Sequence, residues 1–498
     1  MFKNYLSIIS LFFIVLCSYA DVKQNKSLGH YNDAKYVKAF EWLKKAADQG
    51  DAKAQYSLGE GYYYGYGTKQ NYDRAFEWYK RSAGQGDTDA QYSLGYCYYY
   101  GNGIKQDYKK AFEWYKRSAG QKDADAQYNL GICYYYGQGT PRDYEKAFEW
   151  FKKLADQGDA LAQCYLGECY YYGNGIKQDY KKAFEWYKRS AGQGDTDAQF
   201  SLGYCYCYGN GIKQDYKKAI EWYIKSAAQG NADAQYSLGY SYYYGNGIKQ
   251  DYRKAIGWYI KSAAQGNSYA QFYLGECYYY GNGIKQDYKK AFEWYIKSAD
   301  QGNAEAQFYL GECYYYGNGI KQDYKKAFEW FKKSAAQGNA DAQSNLGFMY
   351  YSGEGTEKDY NKAFYWFNKS AEQGHSYGQD NLSDCYYYGK GTAKNYRKAF
   401  ELSMKSAVQG LALAQCRLGI LYYLGKGTAK NYKKAFEWCM KSAEQGDAKA
   451  QLQLGNLYLK GLGTKKDLIK GQYWTKKSVE QGDSAEKETL KKYELWTY

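Results

Sequence analysis

Few side chains in this sequence could do chemistry, and their distribution argues against an active site. Histidine occurs only at His30 and His375, so a Ser-His-Asp or Cys-His arrangement has few candidate bases. Neither an H-E-x-x-H motif nor the Cys/His spacing typical of zinc sites is present. Almost every other acid, base and nucleophile is copied many times in the same setting, whereas catalysis needs a unique group of residues. The sequence therefore predicts a protein that is not an enzyme and that uses no metal and no cofactor.

One motif still needs a chemical explanation, because Ser484 and Lys487 form the only S-x-x-K sequence of the chain. In β-lactam-active enzymes such a serine is the nucleophile, and it is accompanied by S-D-N and K-T-G motifs. Neither of those motifs occurs here. Ser484 also lies at the start of a predicted helix, where serine is a common capping residue. We therefore interpret this motif as a helix cap.

Most of the chain consists of copies of one unit, repeated at a fixed step of 36 residues. A Leu-Gly pair at 58–59 recurs in each copy up to 454–455, and only Ser383 breaks the series. Tryptophan follows the same step from Trp42, with Leu402 in place of one copy. Because no Pro-rich or Ser/Gly-rich stretch interrupts the copies, the sequence predicts one continuous array without linkers.

Each unit predicts two helices joined by a glycine turn. In the first copy, Asp51 caps a helix that runs to about Tyr64, and Asn71 caps a second helix that runs to about Gly84. The G-x-G sequence between them supplies residues that tolerate positive φ. The second helix is amphipathic, and the first keeps small and apolar residues on one arc. A single hairpin cannot bury these faces alone, so neighbouring hairpins must stack.

The pattern A-x-A-Q-x-x-L-G-x-x-Y-x-x-G-x-G, followed by D-Y-x-K-A-x-E-W-Y-x-K-S-A, resembles the Sel-one-like repeat family, which is related to the tetratricopeptide repeats. The resemblance covers residues 32–498. It implies an all-α fold, an α/α right-handed superhelical solenoid of about twelve 36-residue helix-turn-helix repeats, with a scaffold or adaptor role. The predicted organisation is a signal peptide at 1–20, an N-terminal segment and capping helix at 21–50, the repeats at 51–482 and a C-terminal capping helix at 483–498.

Residues 1–20 predict export through a signal peptide. A single Lys3, the apolar run 8–17 and small residues before position 21 match a cleavable leader, and an uncleaved anchor is the alternative. No later apolar run reaches the roughly 18 residues that a membrane helix needs, so no integral membrane segment is expected in the mature chain. The expected location is secreted, periplasmic or in the lumen of the endoplasmic reticulum, depending on the organism.

Cysteine recurs at one repeat position, two residues after the Leu-Gly pair. Equivalent Cα atoms in stacked hairpins are about 10 Å apart, beyond the roughly 7 Å limit for a disulfide. We therefore expect buried free thiols, although an exported protein meets an oxidising compartment. The cysteines at this position are Cys97, Cys133, Cys169, Cys205, Cys277, Cys313 and Cys385.

The positions of the first helix that vary between copies predict a ligand groove, since first helices line the concave side in solenoids of this type. Rows of tyrosine offer flat apolar area with a hydroxyl at the edge, which suits extended peptides or sugar rings. The alternative is that tyrosine is an abundant filler in a duplicated gene. The predicted groove residues are Tyr56, Glu60, Tyr64, Tyr92, Tyr96, Tyr100, Tyr136, Tyr172, Tyr204, Tyr240, Tyr244, Tyr280 and Tyr316.

The net charge of +15 bears on the partner. In an exported protein a basic excess favours acidic protein surfaces, anionic glycans or anionic lipid over nucleic acid, although lysines that only solvate helix faces are the alternative. The leading hypothesis is an exported scaffold or adaptor that binds a protein, peptide or glycan in the groove. An adaptor for protein quality control in the endoplasmic reticulum is the alternative. A β-lactam-active hydrolase, which cysteine-rich relatives imply, lacks support because paired cysteines and active-site motifs are missing.

Overall fold

The computed structural model describes residues 34–481, and within this range every regular element is an α-helix. Helix α1 at Ala34–Asp48 stands alone, where the N-terminal capping helix was expected. The signal peptide predicted at 1–20 and the capping helix predicted at 483–498 lie outside the described residues, as do His30 and the S-x-x-K motif. The chain divides into two compact units, Met1–Ala234 and Gln235–Tyr498, and packing is described within each of them.

After α1, each repeat contributes a first helix and a second helix, which confirms the predicted all-α solenoid of helix-turn-helix repeats. The first helices are α2 (Ala52–Tyr64), α4 (Thr88–Tyr100), α6 (Ala124–Tyr136), α8 (Ala160–Tyr172), α10 (Thr196–Tyr208), α12 (Ala232–Tyr244), α14 (Ser268–Tyr280), α16 (Ala304–Tyr316), α18 (Ala340–Ser352), α20 (Ser376–Tyr388), α22 (Ala412–Leu424) and α24 (Ala448–Lys460). The second helices are α3 (Tyr72–Gly84), α5 (Tyr108–Gly120), α7 (Tyr144–Asp156), α9 (Tyr180–Gly192), α11 (Tyr216–Ala228), α13 (Tyr252–Ala264), α15 (Tyr288–Asp300), α17 (Tyr324–Ala336), α19 (Tyr360–Glu372), α21 (Tyr396–Val408), α23 (Tyr432–Glu444) and α25 (Leu468–Val479).

Local capping fixes the ends of these helices as the sequence predicts. The Asp51 carboxylate accepts a hydrogen bond from the Ala54 amide at the start of α2, and Asn71 does the same for α3 through the Arg74 amide. Gly65, with φ of 81°, closes α2 in the left-handed region that favours glycine. Similar caps recur in most later copies, although Leu411 makes no side-chain cap bond at the start of α22, so the helix ends are fixed largely by contacts within each unit.

In the first helices from α2 to α18, the glycine in the middle of the helix marks a close approach to an aromatic ring of the second helix, whereas Gly419 and Gly455 face Cys439 and Thr475. A Cβ at Gly59 would lie 2.6 Å from the ring of Tyr79, which is buried. The exception at Ser383 is matched by Ser403 in place of the ring, and their hydroxyl oxygens lie 2.7 Å apart in a hydrogen bond. The break in the Leu-Gly series is therefore a paired exchange, in which the two buried hydroxyls hydrogen-bond to each other.

The buried glutamine of the A-Q motif joins each hairpin to the one before it. Gln163 in α8 donates a hydrogen bond to the carbonyl oxygen of Ala155 at 3.2 Å, near the end of the preceding helix α7. Gln193, which follows α9, donates in turn to the Gln163 amide oxygen at 2.8 Å. Because carbonyl groups at a helix end lack partners within the helix, this bond satisfies a buried acceptor and sets the register between units.

The described cysteines are all free thiols, and all of them except Cys207 are buried. Burial raises the pKa of Cys169 to about 12, so little reactive thiolate forms there near neutral pH. We predict that iodoacetamide modifies Cys207 first in the native protein, and that Cys207→Ser removes this fast phase, measured by mass spectrometry. In denaturant every cysteine should react. Cysteines that stay unmodified without a reductant, and react after its addition, would instead reveal disulfides.

Candidate binding surface

The first-helix surface is defined by the side chains at the positions of Lys53, Tyr56, Ser57, Glu60 and Tyr64 and their equivalents in later first helices. Every predicted groove residue stands at one of these positions, and each is either half-buried or exposed. The half-buried members are Tyr56, Glu60, Tyr92, Tyr96 and Tyr240. The exposed members are Tyr64, Tyr100, Tyr136, Tyr172, Tyr204, Tyr244, Tyr280 and Tyr316.

Aromatic contacts bring several of these residues together. On α4, the ring of Tyr96 lies 6.4 Å from that of Tyr92 and 4.4 Å from that of Tyr100, measured between centroids. The contact from one first helix to the next runs through a tyrosine that was not predicted, because the Tyr63 ring of α2 lies 6.4 Å from the Tyr96 ring. The exposed rings therefore rest on a layer of half-buried rings.

A second set of tyrosines was not among the predicted groove residues, although they stand at one of the variable positions of the first helix. Tyr165, Tyr273 and Tyr309 occupy the position of Ser57, and each stacks on a buried ring of the preceding second helix at centroid distances of 5.0 to 5.5 Å. Their hydroxyls reach an exposed tyrosine of the preceding first helix, as in the 3.3 Å contact of Tyr309 with Tyr280. The sequence did carry a signal, since in each of these copies a glutamate follows the tyrosine three residues later, on the same helix face.

The first helices and the second helices differ in the charges that they carry. Every first helix from α4 to α20 contains aspartate or glutamate and neither lysine nor arginine. Lysines and arginines lie on the second helices and in the turns that precede them. On α9, Lys182 lies 5.2 Å from the ring centroid of Tyr170 and Arg189 lies 4.4 Å from that of Trp186. The net charge of +15 therefore does not describe the first-helix surface, and the expectation of an acidic partner there loses its basis.

Three glutamates of this surface are half-buried carboxyls, and each follows one of the missed tyrosines. Burial, and then neighbouring acids, raise the pKa of Glu168, Glu276 and Glu312 to about 7. Hydrogen bonds from Tyr135 to Glu168 and from Tyr309 to Glu276 lower the pKa, but the effect of burial is larger. Within residues 34–481, no Lys, Arg or His nitrogen forms an ion pair with any of the three.

In another copy, a carboxylate at the same position of the first-helix surface does have a cationic partner. Arg417 of α22 donates to Asp380 at 2.9 and 3.2 Å and to Asp384 at 2.7 Å, both on the preceding first helix α20. Asp384 stands at the position of Glu60, and Arg417 stands at the position of Ser57 in the next unit. A guanidinium therefore fits between consecutive first helices, next to this carboxyl position.

A family model described as the Sel1 repeat matches the chain along almost its whole length. The first match covers α1 alone, and the others follow the hairpins. The matched residues are 32–51, 52–87, 88–123, 124–159, 160–195, 196–231, 232–267, 268–303, 304–339, 340–375, 376–410, 412–447 and 448–483. The chain belongs to the Sel1 repeat family. The resemblance predicted from the sequence is thereby confirmed.

Solved structures of other Sel1 repeat proteins are similar to this chain. A protective antigen of uropathogenic Escherichia coli strains, which displays an SLR fold, is 37% identical, with 91% of this chain and 97% of that chain covered and a TM-score of 0.69. A Sel1 repeat protein from Oxalobacter formigenes is 34% identical, with 62% and 89% covered and a TM-score of 0.46. No curated protein matches the chain.

Sel1 repeat arrays are a non-catalytic scaffold class that typically mediates protein–protein contacts, and this Sel1 repeat protein is a scaffold of that class. None of the helices described between residues 34 and 481 is long and apolar enough to cross a membrane. In the same range, no group of three or more His, Cys, Asp or Glu side chains is arranged to hold a metal ion.

His375 does meet a serine and an aspartate, but its contacts are structural. Its Nε2 lies 2.9 Å from Asp341, its Nδ1 lies 3.0 Å from the Ser370 hydroxyl, and Nδ1 also accepts from the Gly378 amide as the cap of α20. Ser370 is fully buried and donates to the carbonyl oxygen of Ala340 at 2.8 Å, as the serine at this position does in other repeats. The hydroxyl is thus committed to helix packing and is closed to a substrate.

Proposed function

We propose that this Sel1 repeat protein is an exported scaffold or adaptor that holds a protein partner on its first-helix surface. The observation that carries the proposal is the exposure of large aromatic side chains at one position in successive copies, such as 55% for Tyr100 and 64% for Tyr172. Such exposure adds little to packing within the array, whereas tyrosines supply much of the binding energy at protein interfaces.

The division of charge favours a partner that presents a basic segment. First helices from α4 to α20 offer carboxylates among aromatic rings, and this combination attracts lysine and arginine through both ion pairs and ring faces. Export rests on the leader predicted at 1–20. The similar Escherichia coli protein is a protective antigen, which supports a location that is accessible from outside the cell.

Replacing the exposed tyrosines is expected to weaken partner capture at least about fivefold without unfolding the array. In one variant, Ser replaces Tyr100, Tyr136 and Tyr172. In another, Ser replaces Tyr244, Tyr280 and Tyr316. The purified protein is used to capture partners from the cell-envelope or lumenal fraction of its own organism, with quantification by mass spectrometry. Circular dichroism checks that both variants keep their helix content.

In a matched control, Ser replaces Tyr365 and Tyr473, which are similarly exposed but lie on the second helices α19 and α25. This control should capture the partner as well as the unchanged protein does. Equal capture by both triple variants would contradict the proposal. Binding on a glycan array that depends on the same tyrosines, with no protein captured, would contradict the choice of a protein partner.

A further inference from the structure

Glu276 and Glu312 stand at the same position of consecutive first helices, α14 and α16, within the second compact unit. Both carboxyls are half-buried, and among the described residues neither has a cationic partner. The nearby charges are also acidic, because Glu305 acts on Glu276 and Asp341 acts on Glu312. Partly buried carboxylates without a cation are unfavourable, so their presence calls for an explanation.

Tyrosines surround the two carboxyls. The Tyr309 side chain hydrogen-bonds to Glu276, lies 3.3 Å from the Tyr280 hydroxyl and is also within the electrostatic reach of Glu312. Tyr280 and Tyr316 follow the two glutamates by one helical turn, with 52% and 62% of their surfaces exposed. Aromatic faces next to carboxylates form the kind of environment that binds an ammonium or guanidinium group.

A buried hydroxyl beneath the cluster also has no partner. Tyr295 is fully buried, its ring stacks on that of Tyr309 at 5.4 Å, and its hydroxyl makes no hydrogen bond. In the first repeat, the equivalent Tyr79 hydroxyl donates to Glu60 at 2.5 Å, so this hydroxyl position faces the carboxyl position of the first helix. The hydroxyls of Tyr115 and Tyr259 at the same ring position are also unpaired, but there the first helix has Tyr96 and Tyr240 in place of the carboxyl. Because buried polar groups are normally satisfied, the unpaired Tyr295 hydroxyl aimed at Glu276 indicates an incomplete polar site.

The pairing of Arg417 with Asp384 shows which group completes such a site. Arg417 lies 33 residues after Asp384 and occupies the space between two consecutive first helices. At the equivalent distance from Glu312 the chain has Asn345, and from Glu276 it has Tyr309. Neither glutamate therefore has a cation at the position that Arg417 occupies relative to Asp384.

We propose that Glu276 and Glu312, together with Tyr280, Tyr309 and Tyr316, form a binding site for two cationic side chains, arginine or lysine, of the protein partner. This inference rests on the proposed function, because it specifies what the first-helix surface recognises. Equivalent residues of stacked hairpins lie about 10 Å apart, and a chain in the extended polyproline II conformation advances about 3.1 Å per residue with three residues per turn, so its side chains three residues apart lie on one side. The site therefore fits an extended segment with cations three residues apart.

The site should respond to pH, because a cation binds the ionised carboxylate. With a pKa of about 7, each glutamate passes from about 90% ionised at pH 8 to about 10% at pH 6, so affinity should fall by up to about ninefold per carboxyl. The titratable groups that act on or face the two carboxyls are Tyr243, Tyr244, Tyr279, Tyr280, Tyr295, Tyr309, Tyr316, Cys277, Cys313, Glu305 and Asp341.

The probe is a dye-labelled peptide, Gly-Ser-Arg-Gly-Ser-Arg-Gly-Ser, and its binding to the full chain is followed by fluorescence anisotropy at pH 8. Glu276→Gln and Glu312→Gln are each expected to weaken binding about fivefold or more, and to flatten its pH dependence. The same peptide with glutamine in place of arginine should bind at least about tenfold more weakly. Peptide binding that is independent of both glutamates would overturn the inference.

A third variant excludes loss of fold as an explanation. Asn345→Arg places a guanidinium where Arg417 stands relative to Asp384, so it should pair with Glu312 and block the peptide while the protein stays folded. Asn129→Arg is the matched control, because it adds the same charge at the same repeat position, but the residue 33 places earlier is Tyr96. We expect about fivefold weaker binding for Asn345→Arg and little change for Asn129→Arg, and equal effects of the two would refute the site.

Failure of this inference can be distinguished from failure of the proposed function. If partner capture depends on the exposed tyrosines but neither peptide binding nor capture depends on Glu276 and Glu312, the scaffold proposal stands and the cation site is wrong. If both tyrosine variants capture the partner as well as the unchanged protein does, the proposal that the partner binds the first-helix surface is wrong, whatever the result of the peptide-binding measurement.

Discussion

Gly275→Ala is expected to destabilise the protein by about 1 to 3 kcal/mol, although alanine is the better helix former by about 1 kcal/mol. Gly275 lies in the middle of α14, and a Cβ there would come within 2.6 Å of Cε1 and 2.7 Å of Cδ1 of the Tyr295 ring. Tyr295 is fully buried between helices, so the ring has no space into which it can move. The measurement is urea denaturation followed by circular dichroism.

The chain offers a control of the opposite sign. Gly257 also lies in a helix interior, in α13, but a Cβ there would meet no atom within 4 Å. Gly257→Ala should therefore stabilise the protein by about 0.5 to 1 kcal/mol through helix propensity alone. If Gly275→Ala stabilised the protein by a similar amount, the close approach to Tyr295 would have no energetic consequence.

A rescue variant tests the cause of the loss. Ser383 and Ser403 show that serine is accepted at the glycine position when the facing ring is also replaced by serine. Gly275→Ser should therefore cost more in the presence of Tyr295 than in a Tyr295→Ser background. The difference between these two costs, obtained as a double-mutant cycle, isolates the steric contact from helix propensity.

The repeat pattern made the need for glycine predictable, but it did not identify the group that requires it. The helix boundaries at Asp51 and Asn71 follow from caps only a few residues away, and the structure confirms them. The ring that faces Gly275 lies on another helix, so it depends on packing between elements. Sequence patterns record such contacts only through paired exchanges, such as Ser383 with Ser403.

The positions of the candidate surface could be read from the sequence, whereas its charge and the contacts between its rings could not. Position by position, variability pointed to Glu60 and Tyr64 and their equivalents, and the structure places these residues on the first-helix surface. The net charge of +15 does not describe this surface, because a single total hides that the first helices from α4 to α20 carry acids and neither lysine nor arginine. The contacts of Tyr273 and Tyr309 could not be predicted from the sequence, because they involve rings of a preceding second helix.

The second prediction with a large effect concerns stability and pH. The double variant Glu276→Gln/Glu312→Gln is expected to be more stable than the unchanged protein by about 2 to 4 kcal/mol at pH 8, and equally stable near pH 4. Burial raises the pKa of each glutamate from 4.5 to about 7. The two pKa shifts taken in full would correspond to a larger free energy than the expected gain. Both side chains are only half-buried, however, so screening by water reduces the free energy.

The sign follows from which state binds the proton more tightly. A carboxyl with a raised pKa in the folded protein contributes stability that is fully present below pH 4.5 and is lost as the pH rises through 7. Glutamine does not titrate, so the free energy of unfolding of the variant should lack this decline. Urea denaturation at several pH values between 4 and 8 measures the difference between the two proteins.

A control substitution separates this effect from a general change in charge. Glu293→Gln removes a carboxylate from the exposed side of the neighbouring second helix α15, and it should change the unfolding free energy by less than about 0.5 kcal/mol at every pH. If the double variant behaved like Glu293→Gln, the two carboxyls would cost the folded protein nothing.

The combined result bears on why the glutamates are present. Residues that lower the stability of the empty protein near neutral pH, where glutamine would raise it, are better explained by binding than by packing. A cation placed between Glu276 and Glu312 should recover the lost stability, so the arginine peptide should raise the unfolding midpoint at pH 8 and have little effect near pH 5. The unchanged protein should show this rise and the double variant should not, because the same two carboxylates cause both the instability and the affinity.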